Sequence, residues 1–229
     1  MRRLFTTLAG TGRKAGLVPR QFRRDGVIFI HVPKCAGSAL LDAYLGYQTG
    51  HVTAQDYHDA DPAFFRSAYV FTFVRNPLAR FVSAYNHIQT DDLWPYLPEM
   101  RKIVDRHGSS VSEVAASLGP DSDLLRLPWF APQHTFLDLG SRGLPAVNRV
   151  FKTESFSADL AILLAEMPLR LRPLAEVNRR GERDSDPTAG LSAGLSAGLS
   201  AGLSAGLSAD AVATLRRIYS RDFTLFGYY

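Results

Sequence analysis

Twice in its N-terminal half, the chain sets a short apolar, β-branched run ahead of a polar turn and an amphipathic helix. Few folds accept that order. The first run, residues 27–32 (VIFIHV), comes after the turn pair Asp25-Gly26 and reads as a buried strand. Residues 33–37 break it. Ser38 can then cap a helix carrying Ala39, Leu40, Leu41, Ala43, Tyr44 and Leu45. The second run, residues 69–74 (YVFTFV), ends in Arg75-Asn76-Pro77. Asparagine suits an N-cap and proline the first helical position. Leu78, Phe81, Val82, Tyr85 and Ile88 come next at helical spacing and give one apolar face. Strand, loop and helix in repetition predict an α/β domain with a central parallel sheet flanked by helices.

The rest of the chain is less regular. Six prolines between residues 91 and 146 cut that stretch into an irregular helical insert of short helices and loops. Residues 148–153 (NRVFKT) read as a third strand, 157–167 as a helix, and 207–219 as a C-terminal helix with Ala211, Val212, Leu215, Ile218 and Tyr219 on one side. Residues 189–208 are five copies of Ala-Gly-Leu-Ser. A glycine in every copy costs about 1 kcal/mol relative to alanine in a helix. The segment reads as a mobile loop; a docked helical extension with a leucine stripe is the alternative. A hydrophobic content of 46% can fill a core, and no apolar run reaches the about 18 residues of a membrane span. One cysteine, Cys35, excludes a disulfide framework and a cysteine-rich zinc site.

The net charge of +4 is a tail property. Arg2, Arg3, Arg13, Lys14, Arg20, Arg23 and Arg24 crowd into residues 2–24 without an acid, which leaves 19 bases against 22 acids in the remainder. A chain so divided is not expected to bind nucleic acid. Residues 1–25 read as a basic flexible N-terminal arm that could touch an anionic membrane peripherally, and 26–229 as the folded domain. The arm has no apolar segment of the secretory kind, so a cytoplasmic location is expected.

Both strong strands run into anion-friendly loops. In Pro33-Lys34-Cys35-Ala36-Gly37-Ser38, small residues let backbone N–H groups approach an anion at a helix N-terminus, Lys34 adds a cation and Ser38 a hydroxyl. The physics is that of a P-loop, but the G-x-x-x-x-G-K-[ST] order is absent, which disfavours an ATP or GTP enzyme such as a kinase. A strand-to-helix turn with an exposed lysine is the plain alternative. In the second loop, Arg75 ends a strand and Ser83 lies eight residues on, inside the helix. A guanidinium grips phosphate bidentately and a serine can donate to the same group. Either loop alone is commonplace. Two on one sheet edge imply a ligand with two separate anionic groups.

HVPKCAGSAL resembles the 5′-phosphosulfate loop of sulfotransferases, and FTFVRNPLARFVSAYNHI their 3′-phosphate segment. The resemblance is to carbohydrate sulfotransferases of the heparan sulfate 2-O and 6-O type and their bacterial relatives. Pro132-Gln133 with Phe136-Leu137 resembles that family's PQ-x-x-FL segment, residues 150–154 (VFKTE) its strand ending in glutamate, and residues 219–228 (YSRDFTLFGY) its C-terminal signature. The resemblance implies a P-loop-like sulfotransferase fold. It also implies transfer of a sulfuryl group from 3′-phosphoadenosine-5′-phosphosulfate (PAPS) to a hydroxyl of a saccharide-containing acceptor, with PAP as the nucleotide product and no metal. On that basis Lys34 offsets charge on the leaving phosphate oxygen. Backbone amides of Cys35, Ala36, Gly37, Ser38 and Ala39, with the Ser38 hydroxyl, cradle the 5′-phosphate. Arg75 and Ser83 hold the 3′-phosphate.

His51, in Gly50-His51-Val52 between the loops, matches a catalytic Gly-His of those relatives, and an imidazole suits a general base. His58, in the same connector, is the runner-up. His31 reads as a satisfied, partly buried residue of the first strand, and His87 and His107 as helix-surface residues. Two departures stand out: Cys35 where threonine is usual and Ala39 where a second hydroxyl is common, each removing a side-chain donor. Cys35 reads as a small residue filling a tight turn, with a reactive thiol as the alternative. The non-enzymatic alternative for the whole chain is an inactive relative that binds anionic glycans or nucleotide.

Overall fold

Three strands pair side by side in parallel, with β2 (Tyr69–Val74) in the middle, β1 (Val27–Ile30) on one flank and β3 (Arg149–Lys152) on the other. A computed structural model describes residues 16–90, 97–140, 146–167, 169–172 and 206–229. The register sets Ile30 opposite Thr72 and Val74 opposite Lys152, so all three strands finish at one edge. Every residue of β1 is buried, as a strand covered on both faces requires. Phe29, Phe71 and Phe73 stack through the sheet toward Phe151. Thr72 is buried in this apolar stack because its hydroxyl donates to the Ile30 carbonyl at 2.8 Å.

The expected α/β architecture is present. β1 stops at Ile30, so His31 and Val32 lie beyond the strand and not within it. The helix after β1, α2 (Gly37–Tyr44), is capped by Ala36 in a left-handed conformation; Ser38 sits exposed inside its first turn and is not the cap. Asn76 does cap the helix after β2 (Pro77–Thr90), accepting from the N–H groups of Leu78 and Ala79. Two short helices, Ala54–Ala60 and Pro62–Ser67, connect α2 to β2, the first closed by a reciprocal Thr53–Asp56 capping box.

The body begins earlier than Gly26. Residues 20–25 form α1 (Arg20–Asp25), ended by Gly26 at φ +66°, a conformation glycine adopts without strain. Val18 and Phe22 are in the core, and Phe22 stacks on Tyr44. Arg23 pairs with Asp61 at 2.6 Å and lies over the Phe64 ring. A flexible arm running to residue 25 is therefore corrected: three of its seven bases belong to a docked helix. Residues 1–15 lie outside the described residues.

A second core joins the insert to the C-terminal helices, through Leu78, Phe81, Val104, Val114, Phe130, Leu215 and Phe223. The insert is helical in short pieces as expected, at Leu97–Asp105, Val111–Ala116 and His134–Leu137. The helix near the third strand runs Phe156–Glu166. The C-terminal helix is shorter than its pattern, Ala209–Ile218, and hands over at Tyr219 to a further helix, Ser220–Leu225. Ser208, the last residue of the repeat, caps the first of these through the Ala211 N–H. The choice between loop and helix for the repeat falls mainly on residues outside those described. Among the described residues no helix is long and apolar enough to cross a membrane.

Candidate active site

In a parallel sheet the loops leaving the carboxyl ends of the strands share one edge, and there the two anion-friendly loops meet. Beyond β1 the backbone bends sharply. Lys34 and Ala36 have φ of +66° and +62°, left-handed values that cost a non-glycine residue about 1–2 kcal/mol each. The N–H groups of Cys35 to Ala39 donate to no acceptor among the described residues, as expected at a helix's first turn, where the macrodipole is positive. At Gly37 a Cβ would stand 2.1 Å from the His31 ring, so only glycine fits beneath it.

On the neighbouring strand, the Arg75 guanidinium makes no hydrogen bond or ion pair among the described residues, and its Nε is buried without a partner. Its backbone is held firmly. Gln133, fully buried, accepts from the Arg75 N–H at 2.9 Å and donates from Nε2 to the Arg75 carbonyl at 2.8 Å. The same Gln133 Oε1 lies 3.3 Å from Cys35 Sγ. One carboxamide thus touches both loops. Gln133 is itself fixed by Asp222, a buried carboxylate that accepts from the Gln133 N–H at 2.7 Å and from both the backbone N–H and the ring Nδ1–H of His134. Beside Arg75, Asn76 donates its N–H to Glu154 at 2.6 Å, and Glu154 also accepts from the Tyr228 hydroxyl.

A third attachment comes from the helix after β2. Arg80, 2% exposed, donates to the carbonyls of Pro33, Ala131 and Pro128. Its cation has no carboxylate partner among the described residues. Ser83 and His87 lie on the same face, at one and two further turns. Ser83 is half-buried.

His51 sits among aromatic rings. Its centroid lies 4.6 Å from that of His31 and 5.7 Å from that of Trp129, which also neighbours His87. Nδ1 faces the His31 carbonyl at 3.3 Å. A carbonyl only accepts, so Nδ1 carries the proton and Nε2 keeps the lone pair. Burial, with the Arg80, Lys34 and His87 charges, lowers the His51 pKa to about 4 against the bond to His31. His31 is pushed down to about 3, chiefly by burial, and its Nδ1 is buried without a partner. The expectation of a satisfied residue holds only in part: the ring keeps a backbone bond with Gly50, while Nδ1 has none. His87 is likewise not a mere surface residue, since it turns toward Trp129. His58 packs against Phe65 and is not part of this ring cluster.

Lys34, Cys35 and Ala36 thus form the turn that leads into Gly37, Ser38 and Ala39 in the first turn of α2, and Arg75 is tied to that turn through Gln133. His51 is coupled to Lys34 electrostatically, and Ser83 lies one turn beyond Arg80. Burial drives the Cys35 thiol up to about 12, so it stays protonated and fills the turn without nucleophilic character. Arg80, Asp222 and Trp129 were not singled out by sequence, and Gln133 was named only within the PQ-x-x-FL resemblance, without a role. The signal was available for Gln133, a lone amide inside the apolar run WFAPQHTFL; Arg80 and Asp222 look like ordinary helix-surface charges. Among the described residues, no group of three His, Cys, Asp or Glu side chains is disposed to hold a metal ion.

Comparison with known proteins returns one family match, over residues 20–229, described as "Sulfotransferase family". No curated protein and no solved structure matches.

Proposed function

The chain belongs to the sulfotransferase family, and from that premise we propose that it transfers a sulfuryl group from PAPS to a hydroxyl of a saccharide-containing acceptor. The observation that carries the reading is Arg75: a guanidinium without a protein partner among the described residues, one strand away from a loop of unpaired N–H groups, with Gln133 touching both. The residues fit a doubly anionic nucleotide. Lys34, the N–H groups of Cys35 to Ala39 and the Ser38 hydroxyl would hold the 5′-phosphosulfate, and Arg75 with Ser83 the 3′-phosphate. The buried Arg80 cation adds attraction for an anion at the same loop.

When bound, PAPS supplies the activated sulfuryl group. Lys34 offsets negative charge on the departing phosphate oxygen. His51, oriented by the His31 carbonyl, takes the acceptor hydroxyl proton at Nε2. Its low pKa keeps it unprotonated and ready. Anionic groups beside Lys34 and Arg80 offset the cations that depress it, and so strengthen it as a base when it is needed.

The test is incubation with PAPS and a panel of oligosaccharides, lipid-linked sugars and small glycosides, read by mass spectrometry. A PAPS-dependent sulfate ester on a sugar is expected. Micromolar PAP binding with no sulfated product from any saccharide would overturn the activity in favour of a nucleotide-binding relative without turnover.

A further inference from the structure

We infer that Gln133 is the positioning residue that sets donor specificity, by fixing the spacing between the Cys35 loop and Arg75; this rests on the PAPS reading above. A carboxamide that accepts from a backbone N–H and donates to the same residue's C=O does what a paired strand would do. Arg75 needs such a partner, because β1 ends at Ile30, opposite Thr72, and offers nothing further along. The third contact goes to Cys35, whose protonated thiol donates to Oε1 at 3.3 Å. All this is buried, so water cannot replace it. Asp222 then removes the remaining freedom by holding the Gln133 N–H from the C-terminal helix, itself kept in place by His134. The base of Arg75 is therefore immobile while its guanidinium has no protein partner among the described residues. That combination selects one phosphate at one distance from the loop.

The side-chain chemistry makes the inference testable. In Gln133→Glu the carboxylate cannot donate to the Arg75 carbonyl, and its charge would draw the Arg75 guanidinium to itself, away from a 3′-phosphate. In Gln133→Met the volume is kept and all three contacts are lost. Calorimetric titration of PAP and of 5′-AMP, which lacks the 3′-phosphate, gives the ratio Kd(5′-AMP)/Kd(PAP) for each protein. That ratio should fall by about tenfold or more in both variants, as expected for losing hydrogen bonds that serve a charged group. A merely structural role would lower the melting temperature and leave the ratio within about twofold of the wild type, and that result overturns the inference alone. A wild-type protein that fails to prefer PAP overturns it together with the donor reading. Should neither variant fold, Cys35→Ala, which removes only the thiol contact, is read by the same ratio: a fall supports the inference and an unchanged ratio contradicts it.

Discussion

Arg80 donates from Nε to the carbonyl oxygen of Pro33 at 2.9 Å, and its other two contacts reach Ala131 and Pro128, so one buried guanidinium joins the loop after β1 to the insert. Replacing it strands three carbonyls in the interior. Arg80→Met should cost about 3 kcal/mol or more, a drop of about 6–12 °C in melting temperature for a chain of this size. Arg80→Lys keeps the charge but not the three-way fork, and should recover only part of the loss. A thermal melt checks both; equal stability of Arg80→Met and wild type would show that the three contacts hold nothing together.

His51 and Lys34 are expected to act on turnover. His51→Ala should lower kcat by about 10²-fold or more while leaving PAP affinity within about twofold, since a base is needed in the reaction and not in donor binding. Lys34→Ala should lower kcat by a similar factor. Steady-state kinetics paired with PAP titration separates the cases. A large loss of PAP affinity in His51→Ala would contradict its role as base.

Both buried histidines give the pH dependence a sign. His31 and His51 have folded pKa values of about 3 and about 4, below the ordinary value near 6.5, so the unfolded chain binds protons that the native chain refuses. Stability should be full above about pH 6.5 and fall as pH drops from there toward about 4 for His51 and about 3 for His31, each tenfold difference in proton affinity between the native and unfolded chains being worth about 1.4 kcal/mol. Denaturant titrations across that range measure it, and His31→Gln should flatten the slope. For the same reason the acid limb of kcat/KM should lie near pH 4 and not near 6.5.

Ala36 is strained at φ +62°. Ala36→Gly should therefore raise stability by about 1 kcal/mol, or about 2–4 °C in the melt, and preserve the loop. A loss of stability would show that the left-handed cap is wrongly assigned.

β1 and β2 were legible because they are continuous apolar runs bounded by turn residues, and Asn76-Pro77 announced the helix after β2. The start of the body was not: Arg20, Arg23 and Arg24 mask Phe22, the one residue of α1 that reaches the core. Ser38 looked like a cap because capping preference is local, whereas the chain enters the helix through a left-handed Ala36, beside the close approach of His31 to Gly37. The loops were visible one at a time. What joins them was not, since Gln133 is 58 residues from Arg75 and Asp222 a further 89 residues on. Such contacts carry no periodicity.

On the reading proposed above, two neighbouring strand ends hold the two phosphorylated ends of one nucleotide, with Arg75 on the 3′-phosphate. Calorimetric titration of PAP and 5′-AMP into the wild type and Arg75→Ala is the decisive experiment. Micromolar PAP binding at one site per chain, much weaker 5′-AMP binding, and loss of that difference in Arg75→Ala are predicted. Equal affinity for the two nucleotides in the wild type, or a preference for PAP that survives in Arg75→Ala, would contradict it.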